Sequence, residues 1–421
     1  MRRGAEDGPA GAAQVGDRRF MDPRILEYYN RELQFVREMG AEFAQAYPRI
    51  AARLGMDGLE CTDPYVERLL ESFAFLTARV QLKLDARHPK FTQHLLEMVY
   101  PHFLCPIPSC AVVEFVPDLK DTALQAGHTV KRGAALRSPL VKGERLSCEF
   151  RTAHDVTLWP LTVTEARYLS GSGVLSTLGF STDGRARAAI RLKLEAAPGA
   201  NLRDLPLDSL AFHIKATPDI AHRVFEQICA DCVGLYVRGA GSTTVHARPA
   251  SCVRPLGLED EEALLPVTRR GFQGYRLLQE YFAFPERFLF FALEELREAL
   301  QTAAGDELEV FIGLRRVQPA LENALDATHF RLFCTPAVNL FPRAVDRVHV
   351  SELETDHHLV VDRNRPMDFE IHSLVSLEGI GAGGETVAQI LPFYSVGHGA
   401  RTRSDVAYYT LERRPRRVSE R

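Results

Sequence analysis

Two cysteines, Cys229 and Cys232, stand at the Cys-x-x-Cys spacing that chelates zinc or runs thiol exchange. A structural zinc site needs four ligands, and neither a second Cys-x-x-Cys nor a spaced pair of histidines accompanies this one. Cys252 with His213 or His222 completes a site only if the tertiary fold gathers them; buried cysteines on a short helix are the simpler reading. Gly379, Gly381 and Gly384 satisfy G-x-G-x-x-G after a strand expected over 372–377. A dinucleotide site also needs a helix of several turns whose N-terminus carries the pyrophosphate. Here Pro392 cuts the segment 385–391 at about two turns, and no βαβ frame surrounds it, so a Gly-rich loop is favoured. Asp356-His357-His358 places an acid beside two histidines, but neighbours on a strand point to opposite faces and do not converge on one ion. A surface turn is the expectation there. The sequence contains no G-x-S-x-G elbow, no H-E-x-x-H and no P-loop. We therefore expect no catalytic residue, no cofactor and no metal site.

The composition fits a folded protein: 46% apolar and 25% charged residues over 421 positions, enough for two to three domains. Acids outnumber bases, 55 against 51, for a formal charge of −4, which disfavours nucleic acid as a partner. All but seven of the bases are arginine, the side chain suited to ion pairs and interfaces. No apolar run reaches the roughly 18 residues that span a bilayer; the most apolar stretch, 282–293, is broken by Pro285, Glu286 and Arg287. Arg2 and Arg3 are not followed by an apolar stretch of the kind that makes a secretory signal. Eight cysteines without regular spacing fit reduced thiols. A soluble, cytoplasmic protein is the expectation.

Several elements must carry whatever surface the protein uses. Residues 1–20 hold few large apolar groups and read as a disordered extension. Asp22-Pro23 offers a helix start. Ile25, Tyr29, Leu33, Val36, Gly40, Phe43 and Tyr47 then follow at spacings of 4, 4, 3, 4, 3, 4, one face of a helix closed by Pro48. The same grammar returns at Asp63-Pro64 with Val66, Leu69, Phe73, Leu76, Val80 and Leu84. A shorter run, Phe91, Leu95, Leu96 and Val99, ends at Pro101. Beyond Pro106 the period changes to short strands bounded by Gly, Pro, Ser or Asp, the mark of antiparallel β structure. Strands are expected at 111–116, 129–130, 148–150, 156–159, 188–194, 210–216, 234–237, 288–291, 309–314, 330–334, 349–350 and 358–361, with helices at 221–231 and 275–284. The fold class is α+β and multi-domain: a helical module at 21–105, a β-rich domain at 106–265 and a mixed domain at 266–421.

Five separated blocks resemble TssF, the baseplate subunit of type VI secretion systems also called ImpG or VasA. They are Tyr28-Tyr29-Asn30-Arg31-Glu32-Leu33; Asp63-Pro64 with Val66-Glu67-Arg68-Leu69 and the Pro-rich turn from Tyr100-Pro101-His102 to Pro108; the segment Gly274 to Pro285; Leu332 to Phe341; and Asp362-Arg363-Asn364-Arg365-Pro366 with Phe369-Glu370-Ile371. They follow the family's order from about residue 21 to residue 414. The family usually continues beyond a stretch like Tyr408 to Arg414, so the chain looks shortened at its C-terminus. The resemblance implies a structural, non-enzymatic role in a cytoplasmic baseplate wedge with TssG, TssK, TssE and a second TssF copy, typically two TssF per TssG. Spike, sheath and membrane complex would be indirect partners. It carries over no catalytic residue.

Interface candidates follow from the residues themselves. The helix with Tyr275, Leu278, Tyr281 and Phe282, followed by Phe284, is either core or a docking face, and Arg276 and Arg287 fit the arginine-rich habit of interfaces. The two long helices carry the same choice, because three helices cannot easily bury Tyr28, Tyr29, Phe35, Phe43, Phe73 and Phe75 alone. Tyr29, Leu33, Val36, Phe43, Tyr275, Arg276, Tyr281, Phe282, Phe284 and Phe341 are therefore the expected interface residues.

Overall fold

The computed structural model describes residues 22–57, 60–140, 147–171, 185–239, 242, 244–267, 271–303, 305–350, 356–381, 383, 385–393 and 407–413. The extension read at 1–20 lies outside them, as do Ala382 and Gly384 of the Gly-rich segment. The chain divides into two compact units, with the boundary between Met98 and Val99.

The first unit is helical. Helix α1 runs Arg24–Ala46, a single turn α2 follows at Pro48–Ala51, α3 spans Pro64–Asp85, and α4, His88–Val99, ends at the boundary. Asp63 caps α3 by accepting the Tyr65 N–H at 2.9 Å, with Pro64 preset for the first helical position. Pro23, with helical dihedrals, stands at the N-cap of α1, so the carboxylate of Asp22 serves one residue earlier, accepting from the Arg24 N–H. Helices α1 and α3 lie antiparallel: the Tyr28 hydroxyl donates to Asp85 Oδ2 at 2.5 Å, and Arg37 reaches Glu67 at 3.5 Å. Their seam is built from small residues, and the buried positions on the two helices are Gly40, Ala74 and Ala78. Small residues allow close approach of the backbones, but they bury little apolar area.

The second unit is β-rich. A five-stranded antiparallel sheet has the order His246–Arg248, Cys232–Gly239, Glu307–Leu314, Ala188–Ala196, Leu161–Ser170. A four-stranded sheet has the order Val253–Pro255, Phe290–Leu293, Leu210–Ile214, Phe330–Leu332. These two sheets share one apolar core, which takes Ile190, Leu192 and Leu194 from the first and Phe212, Phe291 and Phe330 from the second. In Ala188–Ala196 alternate residues face that core while Arg191, Lys193 and Glu195 face outward. The helix Pro218–Ala230 adds Ala221, Val224 and Ile228, one face at helical spacing. The core gathers residues from Val156 to Phe333, on both sides of residue 265.

Another four-stranded sheet has the order Cys110–Glu114, Cys334–Val338, Glu149–Thr152, Ala135–Arg137. The run expected as one strand at 330–334 is shared between two sheets. Leu332 pairs with Phe212, Cys334 pairs with Glu114, and Phe333 between them turns the chain at φ 57°. A bulky residue in the left-handed region carries strain that surrounding packing must offset. Gly127, at φ 79°, serves a different need: a Cβ there would lie 2.6 Å from the Trp159 ring.

The architecture is α+β, as the sequence implies. Local expectations fail near the C-terminus. The segments 349–350 and 358–361 are irregular, and so is 372–377. The segment after the Gly-rich stretch is a strand, Thr386–Pro392, and not a helix of the kind a dinucleotide site needs. Its β-branched Thr386, Val387 and Ile390 suit an extended backbone. It pairs with Glu378–Ile380 antiparallel and with Ala407–Tyr409 in parallel, the exception among the described strands.

Candidate interaction surface

Cys229 lies near the end of the helix Pro218–Ala230 and Cys232 opens the next strand. Burial pushes the Cys232 thiol up to about 11, opposite to the shift a nucleophilic or metal-binding thiolate requires, while Cys229 is exposed. Cys252 is buried in the core. Among the described residues, no group of three Cys, His, Asp or Glu side chains is placed to hold a metal ion. Asp356, His357 and His358 lie on irregular chain. The described part of the Gly-rich segment leads from a strand into a strand, so no helix N-terminus faces a phosphate and the nucleotide-binding alternative loses its scaffold.

The large exposed apolar side chains tell more. On α3, Tyr65, Leu69, Phe73, Leu76, Val80 and Leu84 follow at intervals of three and four, and all are exposed, from 47% to 84%. On α1, Phe35, Met39 and Phe43 form a second exposed row at intervals of four. Tyr29, Leu33 and Val36 are half-buried; Tyr29 lines a shallow depression with Glu71, Ser72, Phe75 and Leu76. The α3 stripe was not among the expected interface residues. The signal that reveals it is the offset pair Ala74 and Ala78: a helix with a small-residue face and a large apolar face uses the first for its immediate neighbour.

The helix Gln273–Ala283 is inverted relative to an ordinary amphipathic helix. Tyr275, Leu278, Tyr281 and Phe282 are exposed, while Arg276 and Glu280 are at most 2% exposed. Arg276 is thus a correction to the expected interface set, and so is the interface reading of Arg287, which is wholly buried. Glu280 accepts from the Leu265 N–H at 2.9 Å, from Arg276 Nη1 at 3.2 Å and from Arg287 Nη1. Arg276 also reaches Asp260 at 2.9 Å, and Arg287 donates to the Glu262 carbonyl at 2.7 Å. Burial lowers the Arg287 guanidinium to about 10. Burial works against ionised Glu262, but the Gly257 N–H and Arg254 outweigh it and hold the carboxyl below its ordinary range. This network fixes the helix against Leu265 and 260–262, leaving its aromatic side outward. Phe284 is half-buried against Leu264, Ala153 and Val338, and Phe341 meets the Phe369 ring edge-on at 6.4 Å between centroids.

No described helix is long and apolar enough to cross a membrane. Among the described residues, exposed apolar rows stand on α1, on α3 and on the helix Gln273–Ala283, and patches of this kind mark interaction sites.

Comparison with known proteins gives the same direction. The family model described as "Type VI secretion system, TssF" matches residues 21–421. The chain is 48% identical over 400 residues to the type VI secretion system component TssF1 of Pseudomonas aeruginosa, covering 95% of this chain and 64% of that relative. It spans less than two thirds of the relative's length. In solved structures it resembles a chain of the type VI secretion system TssK–TssF–TssG baseplate subcomplex, with a TM-score of 0.62 and 27% identity over 78% of this chain and 58% of that one. A family match over nearly the whole chain, carried by sequence blocks and by fold, places this protein in the TssF family of type VI secretion.

Proposed function

We propose that this chain is a structural subunit of the type VI baseplate wedge, with binding surfaces in place of an active site. Its direct partners are TssG, TssK, TssE and a second TssF copy, with two TssF per TssG. Spike, sheath and membrane complex are reached through them, on the cytoplasmic side. The observation that carries this reading is the stripe of six exposed apolar side chains on α3, beside a seam of small residues. Large apolar faces fix subunit geometry, while Arg–carboxylate pairs at their rims set orientation and register. Family membership and the likeness to a chain of the TssK–TssF–TssG subcomplex support it.

The test is co-expression with the cognate TssG, followed by size-exclusion chromatography with light scattering. A complex whose mass fits two copies of this chain per TssG is expected. Phe73→Asp with Leu76→Asp, both exposed and so compatible with the fold, should abolish it. Leu33→Asp or Val36→Asp should weaken it as well. A monomer indifferent to TssG, or binding that survives all these changes, would refute the assignment of the surface.

A further inference from the structure

On the outer face of the five-stranded sheet each base has a carboxylate, until the strands end. Arg167 has Glu165, Arg191 has Glu165 at 3.6 Å and also Glu309, Lys193 has Glu307 at 2.7 Å, and Arg238 has Glu309 at 3.0 Å. At the end where Ala188–Ala196 begins and Glu307–Leu314 stops, the matching fails. Arg185, Arg187 and Arg315 are exposed there, and among the described residues none of them meets a carboxylate. Arg187 and Arg315 are also backbone neighbours. The Arg187 N–H donates to the Leu314 carbonyl and the Arg315 N–H to the Asp231 carbonyl, each at 2.8 Å, next to the pair Ala188 and Leu314. Like charges on neighbouring strands repel. Of the acids at that end, Asp231 is buried and accepts from Arg316 at 2.8 Å and 2.9 Å. Glu226 stands 4.0 Å from that same guanidinium, and Glu322 acts on the Tyr168 hydroxyl. The stretch 172–184, outside the described residues, adds one acid, Asp183, and no base. The backbone beneath the arginines is held in place: the Gly171 N–H donates to the Arg187 carbonyl at 3.3 Å, and Ala186 is buried against Ala189 and Val233.

We propose that this end of the sheet is a docking site for an acidic segment of a partner protein, whose closely spaced carboxylates are taken by Arg185, Arg187 and Arg315. A guanidinium donates two parallel N–H bonds to a carboxylate, so Asp or Glu side chains of the partner supply what Glu165, Glu307 and Glu309 supply to the rest of this face. Because the backbone of the site is already fixed, little ordering opposes binding. The surroundings favour a protein over other polyanions. A nucleic-acid backbone is tracked by a basic stripe on a basic domain, whereas this chain has 55 acids against 51 bases. An anionic membrane surface is gripped by bases together with large apolar side chains that enter it. Beside these arginines in sequence, Val317, 40% exposed, is the large apolar side chain on offer. The site lies in the second unit and stands apart from the α3 stripe, so it does not depend on the baseplate reading.

The probe is dye-labelled hexaglutamate, followed by fluorescence anisotropy with the full chain, and hexaglutamine serves as the neutral control. Binding is expected at about 50 mM salt and should fade by about 300 mM. Arg187→Glu with Arg315→Glu should weaken it by roughly tenfold or more. Lys120→Glu with Arg137→Glu changes the net charge equally at exposed bases elsewhere, and should leave binding within about twofold. Arg315→Glu alone puts a carboxylate beside Arg187. It should lose the probe and yet raise the melting temperature, a combination that damage to the fold does not produce. No binding by the wild type, equal loss in both double variants, or binding that persists in Arg315→Glu overturns the proposal. So does tighter capture, through the same arginines, of phosphatidylserine vesicles or of a single-stranded oligonucleotide.

Discussion

Replacing Glu280 by leucine removes the shared acceptor at the centre of the buried network. Arg276 keeps Asp260 at 2.9 Å and a longer contact to Gln273 at 3.4 Å, so it retains a partner at the surface. Among the described residues, Arg287 keeps one hydrogen bond, to the Glu262 carbonyl, and the face of the Phe288 ring at 4.5 Å, and its Nε already has no hydrogen-bond partner. The cost therefore concentrates on one guanidinium held at 0% exposure. Breaking a buried pair in this way typically costs about 3–5 kcal/mol, because the remaining charge is stranded in a low-dielectric interior. Loss of the acceptor for the Leu265 N–H adds to that figure. Removing both partners, Glu280→Leu with Arg287→Met, takes away the stranded charge and should recover most of the loss. Trp159 is the sole tryptophan, is 7% exposed, and belongs to the core of the second unit. Its fluorescence during guanidinium unfolding therefore follows the relevant unit. A single variant costing under about 1 kcal/mol, or a double variant no better than the single, would refute the account of the network as a stranded-charge problem.

His213 is 7% exposed, packs at 4.5 Å on the Phe290 ring and has no partner for Nε2; burial lowers it from 6.5 to about 4. The unfolded chain takes up the proton first, so this contribution is whole above pH 6.5 and is lost as pH falls toward 4. The loss is worth roughly 3 kcal/mol at the limit. His213→Phe should flatten the decline in melting temperature between those values, and an unaltered slope would count against it. Gly127→Ala combines a strained φ with a clash against Trp159 and should cost about 1–3 kcal/mol, with a shift in tryptophan emission. Cys334, whose thiol burial pushes up to about 12, should stay unmodified by maleimide in the native protein at neutral pH. Labelling that precedes unfolding would contradict that burial.

The helices were legible because local chemistry declares them: Asp63 accepts the Tyr65 N–H where an Asp-Pro start predicts a cap. Which face each helix buries was harder to read. In Gln273–Ala283 the period is visible in Tyr275, Leu278 and Phe282, but a period does not say which side is inward. There the interior is charged, and the deciding acceptor, Glu280, meets donors from residues 265 and 287 that only the tertiary fold brings near. Burial of apolar groups is a one-way tendency, and an exposed aromatic row leaves the same sequence trace as a buried one. At 386–392 the count of residues before Pro392 leaves room for only about two helical turns, while the β-branched side chains suit the strand that forms. The break at Phe333 has no local signal, because it is set by two different partner strands.

That strand after Phe333 has a consequence for biosynthesis. Cys334–Val338 lies between Cys110–Glu114 and Glu149–Thr152, pairing Cys334 with Glu114 and Val338 with Arg151. The strand Cys110–Glu114 has no sheet to join until a segment about half the chain later has left the ribosome, and such long-range closure is slow. The helical hairpin, whose contacts are local, is complete long before. Synthesis therefore presents a folded helical hairpin ahead of an unfinished β unit, with a strand edge waiting to be covered.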